Sequence, residues 1–208
     1  MKPIALILLA AALAPAQQPR PKGLYAILQT SEGEIVARLF EKDTPITVRN
    51  FVALAQGKKA WRDPVTHAAV VRPLYDNTTF FRVTPGVMIQ AGSPNGENTF
   101  NCGITIPDEF LPGLRFDVGG KLAMANTGQP DSGGCQFFIT ADVQPSWTGK
   151  YTIFGEVVGG REVVHKIAHA KVVGEKPVEP VKLIHVGIER SGPEPKSKHL
   201  DAASGAFG

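Results

Sequence analysis

The chain has no clustered run of lysine and arginine, although the two together outnumber Asp and Glu by 22 to 19 over 208 residues. A net charge of +3 spread in this way makes no basic stripe of the kind that follows a nucleic-acid backbone, so nucleic acid is not an expected partner. Cysteine is nearly absent. Cys102 and Cys135 are the only two, and neither follows the apolar N-terminal stretch, which argues against a lipid anchor. That stretch, Ile4 to Ala14, is too short for a comfortable transmembrane helix. The sequence shows no internal repeat, no P-loop and no defensible Ser-His-Asp spacing. His165 and His169 are four apart and could sit side by side on a helix, but no third ligand accompanies them. No metal and no cofactor is therefore expected. What remains is enough chain for one domain with a real core, at 43% hydrophobic and 20% charged residues.

The first residues have the anatomy of a secretory signal peptide: Lys2, an apolar run, then the small-x-small triplet Ala14-Pro15-Ala16. Residues 1–16 are expected to be removed near Ala16, leaving an exported protein, periplasmic or extracellular. An uncleaved membrane anchor is the alternative. Residues 17–22 read as an exposed linker. Residues 191–208, rich in Ser, Gly, Lys, Pro and Ala, read as a disordered tail.

Between them lies one domain, 23–190. Tyr25–Thr30 and Ile35–Phe40 read as a hairpin across the turn Ser31-Glu32-Gly33-Glu34. A helix follows, with Asp43 or Thr44 as N-cap, Pro45 at its first position and Gly57 just past its end. Residues 58–76 form an unusually long loop that could order against the domain through Trp61; His67 within it reads as a surface histidine. Further strands are expected over Leu122–Asn126, Gln136–Thr140, Tyr151–Val157 and Val181–Ile188. A second helix spans about Arg161–His169, with Val163, Val164 and Ile167 on one face. Many short strands, two helices and Gly/Pro turns argue for an all-β barrel or sandwich.

The segment Phe80-Phe81-Arg82-Val83-Thr84-Pro85-Gly86-Val87-Met88-Ile89-Gln90 carries an arginine and a glutamine inside an apolar stretch. Their even spacing points both side chains to one face of a strand, together with Met88, unless Pro85-Gly86 shifts the register. Such a face is a poor core and a good binding floor. Met124-Ala125-Asn126-Thr127-Gly128 and Gln136-Phe137-Phe138-Ile139 follow in order. These three motifs resemble the signature of the cyclophilin family of peptidyl-prolyl cis–trans isomerases. Ile106-Pro107-Asp108-Glu109-Phe110 and Tyr151–Val157 are also similar to family stretches.

The resemblance implies an eight-stranded antiparallel barrel closed by a helix at each end. It implies that Arg82, Gln90 and Asn126 carry catalysis: Arg82 at the prolyl nitrogen, Gln90 and the Asn126 backbone on the substrate backbone and the rotating carbonyl. Met88 and Phe138 would line the proline pocket, with Val87 as a wall. Ala125 and Gln136 would line the groove. Trp147 would form its rim, and Tyr151 stands where many members have histidine. Two departures matter. Phenylalanine is usual at the Val87 position, so the pocket wall is smaller here, and the stretch from Trp147 to Lys150 is one residue short. In the family fold the Cys102 loop and the turn before Gln136 lie on one side of the groove, which implies a Cys102–Cys135 bridge, with two free thiols as the alternative. Read singly, Met88, Phe138 and Trp147 would be core, and Arg82 the partner of a carboxylate.

The expected function is isomerisation of X–Pro bonds in exported proteins by a monomer. Its partners would be proline-containing segments and, through Trp147, cyclosporin-like cyclic peptides. A weakly active peptide-binding or chaperone module is the alternative, resting on Val87. A barrel holding a small molecule inside is argued against, because polar groups on the outer face do not build an internal cavity.

Overall fold

The computed structural model describes residues 20–194. The expected signal peptide, the start of the linker and the tail from 195 onward lie outside the described residues. In chain order the elements are β1 (Gly23–Thr30), β2 (Gly33–Leu39), α1 (Pro45–Ala55), β3 (Trp61–Arg62), β4 (Ala69–Val70), β5 (Thr78–Thr79), β6 (Arg82–Thr84) and β7 (Met88–Ala91). Then come β8 (Lys121–Met124), β9 (Phe137–Thr140), a 3₁₀ turn (Pro145–Trp147), β10 (Ile153–Gly159), α2 (Arg161–Ala168), β11 (Val172–Val173), β12 (Lys176–Pro177) and β13 (Lys182–Ser191). β13 runs to Ser191, whose hydroxyl donates to the Arg20 carbonyl.

One antiparallel sheet contains nine strands in the order β5-β13-β1-β2-β10-β8-β9-β7-β6. Its two edges, β5 and β6, are separated in the chain only by Phe80 and Phe81. Three peptide steps span at most roughly 11 Å, so the sheet must curl until its edges nearly meet. Counted as one interrupted strand, β5 and β6 bring the number to the expected eight.

Side-chain alternation then divides the molecule into an inside and an outside. Leu24, Ala26 and Leu28 of β1, Ile35, Ala37 and Leu39 of β2, and Ile89 and Ala91 of β7 all face one buried core. The helices plug it. Leu39 pairs with Gly155 and Val36 with Gly159, so β2 and β10 run in opposite directions. α1 leaves the end of β2 and α2 leaves the end of β10, which places them at opposite mouths of the barrel. Phe51 of α1 inserts among Tyr75, Phe137 and Phe154, at ring-centroid distances of 5.0, 5.4 and 5.1 Å. Burial pushes the Tyr75 hydroxyl far above its ordinary pKa, and it donates to the Cys135 carbonyl.

Several local expectations are refined. Thr44 is the N-cap residue of α1 by position, but its side chain makes no capping bond. Glu109 does that work from 62 and 63 residues away: its carboxylate accepts the Ile46 and Thr47 amides at 3.0 and 2.8 Å and the Thr47 hydroxyl at 2.7 Å. Gly57 follows the helix with φ +65, a left-handed turn that a side chain would strain. The 58–76 segment is ordered around a small β3–β4 hairpin. Its Trp61 is buried, donates to the Arg72 carbonyl at 2.8 Å and lies 4.8 Å beneath the Arg72 guanidinium. Amides of Thr66 and Val65, with Arg72 beyond them, hold the Asp63 carboxyl at about 2. Cys102 and Cys135 are joined as a disulfide, with Cα atoms 6.5 Å apart.

Replacing Glu109 by alanine removes the cap and a charge suited to a helix N-terminus. Urea denaturation should show a loss of about 1–2 kcal/mol; an unchanged midpoint would contradict the cap. The Cys102–Cys135 bridge closes a span of 33 residues. Unfolded, unreduced protein should show no reactive thiol, and reduction should lower stability by about 3–4 kcal/mol from chain entropy.

Candidate active site

The segment from Phe80 to Gln90 is not one strand. Pro85 and Gly86 make a turn, closed by the Val87 amide on the Thr84 carbonyl at 2.9 Å, and β6 folds back on β7. Arg82 and Gln90 still share a face, because they sit directly opposite each other across the hairpin, as do Thr84 and Met88.

Following the register sideways gives one continuous row on the outer surface. Arg82 pairs with Gln90, Gln90 with Phe138, Phe138 with Ala123, and Ala123 with Ile153. Neighbouring strands lie about 4.8 Å apart, so the row passes from cation through amide to apolar surface within roughly 20 Å. Its inward neighbours, Val83, Ile89 and Ile139, belong to the barrel core. The apolar end of the row, Phe138, Ala123 and Ile153, joins Met88 and Phe116 in a second, separate apolar cluster.

Phe138 is the centre of that cluster. Trp147 and Tyr151 meet it edge-on at 5.4 and 5.1 Å, and Phe116 stacks on it at 6.0 Å. Val87 packs half-buried against the same group, as do Trp147 and Tyr151. Phe116 is fully buried and was not singled out from the sequence. It lies in a Gly-rich connection without periodicity, where nothing local distinguishes it.

The polar end is wired in one direction. An Arg82 Nη1 hydrogen is donated to Gln90 Oε1 at 3.1 Å. Gln90 Nε2 donates to Gln136 Oε1 at 2.8 Å and to Asn98 Oδ1 at 3.2 Å. Gln136 Nε2 donates to the carbonyls of Asn98 and Phe100 at 3.1 and 3.0 Å. Gln90 is buried, so an unpaired amide there would be costly, and the chain of donors fixes its flip. Asn98 was another residue the sequence did not mark. The disulfide anchors the loop that carries it, since Cys102 lies in that loop and Cys135 directly precedes Gln136.

Beside this ridge lies an open groove of about 570 Å³, lined among others by Gln90, Asn98, Ala125, Asn126 and Gln136. Ala125 lies just past β8, its amide on the Gln136 carbonyl at 2.9 Å. Asn126 lies beyond the strand expected to contain it. Its side chain donates to the Lys150 carbonyl and accepts the Gly128 amide. Among the described residues its main-chain N–H and C=O have no hydrogen-bond partner.

Arg82 does have a carboxylate partner. Glu175, in the turn between β11 and β12, accepts from its Nε at 2.7 Å and its Nη2 at 3.0 Å. This pairing and the Thr84 hydroxyl hold the Glu175 carboxyl below its ordinary pKa. Arg82 therefore faces the site and is paired at the same time. Met88 and Phe138 are likewise buried and at the site, so the core and binding readings of these residues are not exclusive.

The one carboxylate in this arrangement, Glu175, is engaged by Arg82 and Thr84. The arrangement as a whole offers a fixed cation and amides beside an aromatic floor. The model of the cyclophilin-type peptidyl-prolyl cis-trans isomerases matches residues 25–188. Peptidyl-prolyl cis-trans isomerase B of Streptomyces anulatus is 45% identical over 170 residues, covering 80% of this chain and 97% of the relative. Peptidyl-prolyl cis-trans isomerase A of Mycobacterium tuberculosis is 40% identical over 166 residues, covering 78% and 91%. A solved structure of a Cryptosporidium parvum cyclophilin-type isomerase, determined in the presence of the dipeptide Ala-Pro, superposes with a TM-score of 0.70 at 28% identity. It covers 79% of this chain and 98% of that one. The chain belongs to the cyclophilin family and is a cyclophilin-type peptidyl-prolyl cis–trans isomerase, an enzyme class that accelerates rotation about the X–Pro bond.

Proposed function

We propose that Arg82 is the central catalytic residue and that the Arg82–Gln90–Phe138 row is the frame on which the X–Pro bond turns. The observation that carries this is the register: cation, amide and aromatic ring stand on three successive strands, on one face.

Rotation about a peptide bond meets a barrier of about 18–20 kcal/mol from amide resonance. No bond is made or broken, so catalysis consists of holding the twisted amide better than either planar form. Twisting removes the conjugation and leaves a lone pair on the prolyl nitrogen. A donor aimed at that nitrogen strengthens only in the transition state. Guanidinium suits the role, being always charged and carrying five N–H groups. Glu175 and Gln90 occupy three of them, leaving one on Nη1 and one on Nη2.

A charge-assisted hydrogen bond contributes about 1.5–3 kcal/mol. An acceleration of 10⁵ would need about 7 kcal/mol. Arg82 is therefore helped by its surroundings. In this reading Met88 and Phe138 fix the proline ring, with Val87 as a wall. The Asn126 main chain and Gln90 hold the peptide backbone and the rotating carbonyl, over Ala125 and Gln136. The apolar floor also favours the twisted amide, which is less charge-separated than the planar one.

The clients, on this proposal, are exported proteins, and the enzyme acts on them as a monomer outside the cytoplasm. Two features support export: the Lys2–Ala16 segment with its small-x-small triplet, and a disulfide within the fold, which suits an oxidising compartment. Trp147, half-buried at the aromatic edge of the site, is the residue proposed to take cyclosporin-like cyclic peptides.

Arg82→Ala should slow catalysed exchange in a short X–Pro peptide at least about tenfold, the loss of roughly 1.4 kcal/mol of transition-state binding. The fold should be retained. Full activity in the variant would sink the assignment. Turnover of the wild type should be nearly flat between about pH 6 and 8.5, since arginine does not titrate there. Glu175, held below the ordinary carboxylate range, stays ionised throughout the same window. A steep single-proton dependence there would point to a general acid or base instead.

A further inference from the structure

Glu175 lies outside all three motifs that identify the family, 93 residues from Arg82. We infer that it is a positioning residue for catalysis: the β11–β12 turn exists at this place to hold the Arg82 guanidinium in its working orientation. The inference rests on the reading of Arg82 as the group that meets the prolyl nitrogen.

Three observations carry it. The first is how firmly the carboxylate is placed. Val172 pairs with Pro177 and Val173 with Lys176, so Gly174 and Glu175 form a two-residue hairpin turn. Gly174 takes φ +63, which the turn requires and a side chain would resist. The Glu175 main-chain carbonyl accepts the Val83 amide at 2.7 Å, tying the turn to edge strand β6. Thr84 donates its hydroxyl to the same carboxylate at 2.6 Å. Glu175 is thus fixed by backbone and side chain to Val83 and Thr84, the two residues that directly follow Arg82.

The second is the geometry of the pair. Glu175 takes the side-on edge of the guanidinium, Nε and Nη2 together, and Gln90 takes Nη1. A long, rotamer-rich side chain is held at both flanks by planar partners. Its plane is set, and its two remaining N–H groups have fixed directions.

The third is what the pair does not do. The Arg82 and Glu175 side chains are 36% and 44% exposed. Exposed ion pairs contribute little to stability. The ion pair therefore adds little to holding the fold, and the effect of the carboxylate falls on Arg82. A carboxylate beside the cation also weakens its field at the prolyl nitrogen. Orientation and charge damping act in opposite directions, and the exposed setting screens the second while leaving the first intact.

The test uses the full chain and four variants: Glu175→Ala, Glu175→Asp, Arg82→Ala and the Arg82→Ala/Glu175→Ala pair. Catalysed exchange and equilibrium affinity for one X–Pro peptide are measured by NMR, and thermal midpoints by circular dichroism. Misplacing a catalytic group should cost rate more than binding. Glu175→Ala is expected to slow exchange about tenfold, with affinity within about twofold and the midpoint unchanged. Glu175→Asp should recover part of the rate. Placed on Arg82→Ala, the Glu175 change should cost nothing further, because its effect passes through Arg82. Wild-type rate, or a faster rate, in Glu175→Ala while Arg82→Ala is impaired would overturn the positioning role alone. An equal loss on both backgrounds would also overturn it, showing an effect independent of Arg82. Full activity in Arg82→Ala would overturn this inference together with the catalytic reading beneath it.

Discussion

The barrel is filled by its own side chains, and everything functional follows from that. β5 and β6 are two residues apart in the chain yet form opposite edges of the sheet, so the sheet curls and one face turns wholly inward. Strand alternation commits every second residue to that interior. Val83, Ile89, Phe137 and Ile139 fill it, and helices plug both mouths. With no space inside, binding must use the residues pointing the other way. Arg82, Gln90, Met88 and Phe138 are the outward partners of those inward residues, so the rigidity of the core becomes the rigidity of the site.

The site is stiffened a second time from outside. At the apolar end, Phe116, Trp147 and Tyr151 surround Phe138. At the polar end, donors run from Arg82 through Gln90 to Gln136 and stop on loop carbonyls anchored beside the disulfide. Each amide can point only one way without orphaning a buried group. Rotation about a peptide bond needs no chemistry from the enzyme, only a surface that fits the twisted form, and fit of this kind depends on groups that do not relax.

What the sequence revealed was whatever local rules govern. The β1–β2 hairpin, Pro45 and Gly57 at the two ends of α1, and the apolar face of α2 follow from period and turn chemistry. The outward row was legible through its motifs, although as a strand rather than a hairpin: Pro85-Gly86 is a turn signal, and it prevailed over the alternation on either side. The contacts that stayed hidden are those set by the curl of the sheet. Glu109 caps α1 and Glu175 clamps Arg82 across 62 and 93 residues respectively. Phe116 completes the aromatic cluster from an irregular connection. A lone Glu in a polar stretch carries no mark of the partner that three-dimensional closure will bring to it. The 58–76 loop does order through Trp61, but its partner Arg72 carried no mark in the sequence.

The central claim is spatial: the prolyl ring rests on the aromatic end of the row and the prolyl nitrogen comes under Arg82. The most direct measurement is a crystal structure of this protein with a short X–Pro peptide bound. The account predicts the ring against Phe138 and Met88, with an Nη hydrogen of Arg82 directed at the prolyl nitrogen while Glu175 remains on the opposite edge of the guanidinium. A proline seated in the neighbouring groove between Asn98 and Asn126, out of reach of Arg82, would contradict it.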